Sequence, residues 1–199
     1  MKIGIIAEDD SDVAVLREIS LKLLLPHTNV GFRHCVGRGG GAIRKKCCAY
    51  AVNLVDRGCP YIIAMHDLDQ HDENELRALL QEALNTSAAK VTVVLLPRHE
   101  IESWLLYDAQ AIADAFKQKE LVPLPANPET VQDPKEHLGD LIWKQYRKQY
   151  LHTAHNQQIA KRIRVEALNR AGSFGPHPPF IDRVKADLEA DKPKSRGRR

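Results

Sequence analysis

Three short runs, "KIGIIA" (2–7), "YIIAMHDLD" (61–69) and "KVTVVLLP" (90–97), open as continuous apolar stretches with no polar alternation. Each is too brief for a buried helix, so each reads as a strand buried on both faces of its sheet. The stretches between them have helical periodicity. In "SDVAVLREISLKLLL" (11–25), Val13, Leu16, Ile19 and Leu23 share one face and Pro26 ends the run. "VGFRHCV" (30–36) reads as a further strand. "GRGGGAIRKKCCAYAVNLVDRG" (37–58) reads as a glycine-rich turn and a helix closed by Gly58, "ENELRALLQEAL" (73–84) as a helix, and "RHEIESWLLYDAQAIADAF" (98–116) as mostly helical. Parallel strands need crossover connections, and helices supply them. The expectation is an α/β fold with a mostly parallel four-stranded sheet flanked by helices. Its ligand site should lie beyond the carboxyl ends of the strands.

The texture changes at Leu121, where "LVPLPANPETVQDPKEHL" (121–138) carries four prolines and reads as an extended connector. Helices follow in "HLGDLIWKQYRKQY", "NQQIAKRIRVEALNRAG" and "SFGPHPPFIDRVKADLEA". The expected organisation is an α/β domain over 1–120, a helical extension packed on it over 121–191, and a disordered basic tail, "KPKSRGRR", over 192–199. That tail holds five of the 29 Lys and Arg, which leaves 24 against 26 Asp and Glu, so the body is close to neutral. Any attraction to polyanions must therefore be local. Cys35, Cys47, Cys48 and Cys59 lack paired C-x-x-C spacing and read as free thiols. No stretch approaches the ~20 apolar residues of a membrane span. "MKIGIIAEDD" turns acidic too early for a signal peptide, so the expected location is cytoplasmic.

Each confident strand runs into acids: "AEDDSD" (7–12), "HDLDQHD" (66–72) and "PRHEIES" (97–103). A parallel sheet brings these ends to one edge. An Asp at a strand-to-helix turn is an ordinary helix cap, but three acidic ends at one edge repel one another unless they hold a cation. Oxygen-only ligands of this kind select Mg²⁺ or Mn²⁺.

"IIAEDDSDVAVL" (5–16) looks like the opening of a response-regulator receiver, with Asp67 as phospho-acceptor. That family also needs a lysine closing a fifth strand, and here "VTVVLLPRHE" ends in Pro97 and Arg98. The stronger resemblance is to the Toprim domain of topoisomerases, primases and overcoming-lysogenization-defect nucleases. Glu8, Ser11 and Asp12 match its Glu-Gly-x-Ser-Asp element, with Asp9 in place of the glycine, and Asp67 and Asp69 match its Asp-x-Asp. "HEIESWLLYD" (99–108) and "DPKEHL" (133–138) are similar to segments of a bacterial Toprim-like family. The resemblance implies that Glu8, Asp67 and Asp69 bind one divalent metal, Mg²⁺ or Mn²⁺. Asp12 and Glu102 would help hold a second about 3.5–4 Å away. It further implies phosphodiester hydrolysis of DNA or RNA with Glu8 in proton transfer, in a phage-defence or DNA-repair setting. The sequence contains no Gly-x-x-x-x-Gly-Lys-Ser/Thr loop, so an ATPase partner, if any, is encoded separately. The competing reading is a non-catalytic module that binds Mg²⁺ or nucleic acid, receiver-like or an inactive Toprim domain.

No acid occurs between Asp140 and Glu166, a segment holding Lys144, Arg147, Lys148, Lys161 and Arg162. With helix continuing to Tyr150, the first three share a face that lines phosphates, while Trp143, Tyr146 and Tyr150 read as a core stripe. Arg38, Arg44, Lys45 and Lys46 form a second basic patch after the glycines. His66 and His71 are placed beside the acids as groups supporting the ligands.

Overall fold

The computed structural model describes residues 1–191; the basic tail at 192–199 lies outside the described residues. Four strands, β1 (Lys2–Ala7), β2 (Gly31–Val36), β3 (Tyr61–Met65) and β4 (Val91–Leu95), form one sheet in the order β2-β1-β3-β4, with every neighbouring pair parallel. The apolar runs sort their side chains by parity. Ile3, Ile5, Tyr61, Ile63, Met65, Val93 and Leu95 face one layer of helices, while Ile6, Ile62, Ala64, Val94 and Leu96 face the other. Burial on both faces is why these strands carry no polar alternation. Edge strand β2 is different: Gly31, Arg33 and His34 are exposed, and a charged side chain there discourages pairing with another chain.

On one face lie α2 (Gly40–Asp56) and α3 (Glu73–Asn85). Leu76, Leu80 and Leu84 recur every four residues on α3, and all are buried. Each contributes about 1.5–3 kcal/mol relative to exposure. Asp72 starts this helix by accepting from the backbone N–H of Asn74 and Glu75 at 2.9 and 3.0 Å.

The other face is covered by α1 (Asp10–Leu23) and by the helices of the second half of the chain. These are α4 (Glu102–Leu105), α5 (Ala109–Ala115), α6 (Pro134–Tyr146), α7 (His152–Ala160), α8 (Val165–Leu168) and α9 (His177–Ala190). Leu138, Ile142, Ile159, Ile163, Phe180 and Val184 join the same core as the strands and α1. The connector after Leu121 has no regular secondary structure apart from a 3-10 turn at Pro128–Thr130.

The 98–116 segment, read as mostly helical, holds two short helices, because Asp108 caps the second by accepting from the N–H of Gln110 and Ala111. One sequence reading is corrected. The helix expected to reach Tyr150 stops at Tyr146. Arg147 turns left-handed there (φ 54°) and its N–H donates to the Trp143 carbonyl, so Arg147 and Lys148 do not continue the face of Lys144.

The connection from β1 leads outward to β2, and the next one crosses back to β3. The carboxyl ends of β1 and β3 therefore form the switch point at which an open α/β sheet leaves a crevice. Register sets what meets there. Ala7 lies opposite Val36, and Met65 opposite Leu95, so the acid-bearing segments leave the sheet side by side.

Candidate metal centre

Glu8 is the first residue past β1. Its Oε1 accepts from the Asp67 backbone N–H at 3.3 Å and lies 3.4 Å from Nδ1 of buried His66. Asp67 follows β3 in a segment that keeps pairing beyond the strand, with the N–H groups of His66 and Leu68 donating to the carbonyls of Leu95 and Pro97. Its Oδ1 is buried and has no hydrogen-bond partner. Burial pushes the Asp67 carboxyl well above the usual carboxylate range, and Asp12, Glu8, Glu102 and Asp69 push it further by repulsion. The strand ends thus bring four other carboxylates into the field of one.

Asp12 sits in the first turn of α1, 6% exposed. Its Oδ2 accepts from the Asp9 N–H at 3.2 Å while Asp9 accepts in return, a reciprocal cap of the helix. Asp9 is in extended backbone (φ −142°) that any residue adopts, so a glycine is not required there. Burial, then repulsion from Asp9, Glu102 and Glu8, pushes Asp12 up to about 8. Glu102 opens α4 and is 2% exposed. Its Oε1 accepts from Asn156 Nδ2 at 2.9 Å and from the Tyr150 hydroxyl at 3.2 Å. Burial and the neighbouring Glu102 both raise the Tyr150 phenol.

Asp69 is exposed, in left-handed backbone at φ 46°. The chain turns there, so Asp69 does not share the extended segment of Asp67. It borders a cleft lined also by Arg98, His99 and Glu129. Arg38 and His99, just past β2 and β4, are likewise left-handed, at φ 57° and 61°. Non-glycine residues in this region carry strain that tends to collect at functional sites.

The carboxylates are gathered but not closed into a cage. Among the described residues, no group of three or more His, Cys, Asp and Glu side chains is set to hold a metal ion. Glu8 is bonded to the Asp67 backbone, Asp12 to its helix cap, and Glu102 to Asn156 and Tyr150. Among the buried oxygens of these carboxylates in the described residues, Asp67 Oδ1 is the one without a partner.

Several groups at this edge escaped the sequence reading. Lys135, near the start of α6, pairs with Glu100 Oε1 at 3.1 Å while its N–H donates to Glu100 Oε2. Burial lowers its pKa, but Glu102, Glu100 and Asp67 outweigh that and raise it. The "DPKEHL" segment was the one signal for it. Tyr150 and Asn156 had none, since their role depends on a fold that brings them 48 and 54 residues back to Glu102. Arg44 Nη1 stands 3.0 Å from Nε2 of both His66 and His71. A Cβ at Gly40 would sit 2.6 Å from the His66 ring and 2.9 Å from Glu8 Oε1, so only glycine lets α2 approach this closely.

The expected phosphate-binding residues are on the surface and engaged locally. Arg38 is exposed, and its N–H donates to the Glu8 carbonyl. Lys144 pairs with Asp140 at 3.0 Å, Lys148 donates to the Phe116 carbonyl, and Arg162 donates to the Gln158 side chain and carbonyl. Lys161 is exposed at the end of α7. Trp143 is 55% exposed, which corrects its reading as core, and Tyr150 serves Glu102.

The chain belongs to the family described as "Domain of unknown function (DUF4276)", whose model matches residues 14–176. The matched span contains Asp67, Asp69 and Glu102 and starts after Glu8 and Asp12. No curated protein and no solved structure matches the chain.

Proposed function

We propose that this DUF4276 protein is a Toprim-like, metal-dependent nuclease that hydrolyses phosphodiesters of DNA or RNA, and that Glu8 and Asp67, with Asp12, Asp69 and Glu102 around them, hold its Mg²⁺ or Mn²⁺. The observation that carries this reading is the Asp67 Oδ1, a buried oxygen without a partner among mutually repelling carboxylates. A buried polar atom left unpaired costs about 1–3 kcal/mol, and gathering negative charge costs more. A divalent cation relieves both, and the oxygen-only donor set suits a hard one.

Bound there, such an ion supplies charge neutralisation for a phosphodiester and a lowered pKa for water. The protein's own groups perform the remaining steps. Glu8 is the proton acceptor, since its carboxylate is held from one side by the Asp67 N–H and the His66 ring and is partly exposed on the other. Glu102, fixed by Asn156 and Tyr150, is held in place by the C-terminal helices. Lys135 brings a positive charge to the rim, where a phosphate would arrive. A phospho-acceptor role for Asp67 fits less well, because that role requires open access to a carboxylate that is largely enclosed.

The test is incubation of supercoiled DNA and single-stranded RNA with wild type and Asp67→Asn, in Mg²⁺, Mn²⁺ and EDTA. Cleavage by wild type alone, abolished by EDTA, is expected. Binding of Mg²⁺ with no cleavage of any substrate favours the non-catalytic module. Equal cleavage by the variant removes Asp67 from the site.

A further inference from the structure

Beside the acidic edge, the loops after β3 and β4 and the proline-rich connector enclose a cleft of about 500 Å³, a size that suits a small-molecule moiety. Buried Leu68 forms part of its wall, and the rest is polar. Its charges are largely committed. Arg98 Nη2 donates to Glu73 Oε2 at 2.7 Å, and the Glu129 oxygens accept from the N–H groups of Gly172 and Ser173 at 2.9 and 3.0 Å. Among the described residues no lysine lines the cleft, so an anion finds little there to hold it. What remains free is mostly neutral. Among the described residues the side chains of Gln70 and His99 make no hydrogen bond, and Asn127 uses only its Oδ1, which accepts from the Tyr107 hydroxyl and the Glu129 N–H at 3.3 and 3.2 Å. Two amides and an imidazole suit an uncharged group that both donates and accepts. A nucleobase is such a group: Gln and Asn amides meet base edges with paired hydrogen bonds, and imidazoles stack on bases.

We propose that this cleft receives an unpaired base next to the scissile phosphate, with Gln70, Asn127 and His99 as its contacts, so that the substrate is single-stranded nucleic acid. The inference rests on the carboxylate site proposed above. Asp69 belongs both to that set and to the wall of the cleft, so a phosphate at the carboxylates has its own nucleoside within reach of Gln70, the next residue. A base paired and stacked in a duplex is not available to such a cleft, whereas one in a single strand is. The left-handed backbone at Asp69 and His99 bends both loops at its walls.

Full-length wild type, Gln70→Ala and His99→Asn test it; Gln70 is exposed, and asparagine tolerates the left-handed backbone at 99. In EDTA, ¹H–¹⁵N spectra of wild type titrated with the common nucleoside 5′-monophosphates should show the Gln70 side-chain amide shifting with at least one of them and staying in place with ribose 5-phosphate. In Mg²⁺, single-stranded DNA or RNA oligonucleotides should be cut faster than their duplexes. Gln70→Ala should slow that cleavage about 5- to 100-fold, the worth of one paired amide–base contact, and flatten any preference among bases. A Gln70 amide that no mononucleotide moves, or that ribose 5-phosphate moves equally, overturns the proposal. So do duplexes cut as fast as single strands, or wild-type rates in both variants. Absence of cleavage of every substrate by wild type refutes the nuclease reading instead, and the metal-free spectra then decide by themselves whether the cleft takes a base.

Discussion

Asp12 combines a structural role with a place among the carboxylates of the proposed site. It completes the cap of α1, a role any acid in a first helical turn can take, yet it is buried beside other carboxylates and pushed up to about 8. A carboxyl whose folded pKa lies above its unfolded value binds protons more tightly when folded. Its contribution is therefore fully present below its ordinary 3.8 and is lost as pH rises toward about 8. Asp12→Asn keeps a cap acceptor and removes the charge, so metal-free variant and wild type should melt close together at pH about 4. The variant should gain steadily on wild type up to pH about 8. Thermal melts of the pair across that range check this; a constant difference would place Asp12 in solvent-like surroundings. The acids at the strand ends were legible in the sequence because their positions follow from strand length alone. Their individual conformations were not. Asp69 looked equivalent to Asp67 on a two-residue spacing, but the backbone turns left-handed at Asp69, and nothing local in "DLDQ" encodes that turn.

Among the elements, β1, β3 and β4 were readable because burial on both faces demands continuous apolar sequence, a constraint independent of the rest of the fold. The helices between them were readable from their spacing. The end of α6 was not. Arg147 is no helix-stopping residue by composition, and the turn that follows is held by contacts with residues far away in sequence, among them the Lys148 bond to the Phe116 carbonyl. The joint between α1 and α9 was equally hidden. There, Ser20 Oγ lies 2.9 Å from Nε2 of fully buried His177, whose Nδ1 has no partner. Burial pushes His177 down to about 3, so the folded protein resists protonating it. That contribution to stability is present above its ordinary 6.5 and is lost as pH falls toward 3. Ser20→Ala leaves the ring with no bond at either nitrogen and should cost about 1–3 kcal/mol, read as a lower urea midpoint with an unchanged slope. A midpoint equal to that of wild type would mean that this contact holds nothing.

At the scale of the molecule, the second half of the chain closes over the acidic edge where the site is proposed. Glu8 and Asp67 come from the sheet, while Tyr150 and Asn156 on the far side of the proline-rich connector hold Glu102, and Lys135 faces the same acids. The α/β architecture and the acidic edge could be read from residues 1–120 alone; the enclosure of that edge could not, since it depends on packing across the common core. Along the described residues, no helix is long and apolar enough to cross a membrane. Metal should therefore act on the whole fold, because it compensates repulsion between segments from both halves. The most direct test is the thermal stability of wild type and Asp67→Asn with and without Mg²⁺ at pH about 7.5. Wild type should be stabilised by about 2.7 kcal/mol when Mg²⁺ is a hundred times its Kd, reversibly on adding EDTA, while Asp67→Asn should melt at the same temperature in both conditions. A wild-type melting temperature indifferent to Mg²⁺ and Mn²⁺, or an equal shift in the variant, would contradict the claim that these carboxylates form a metal centre.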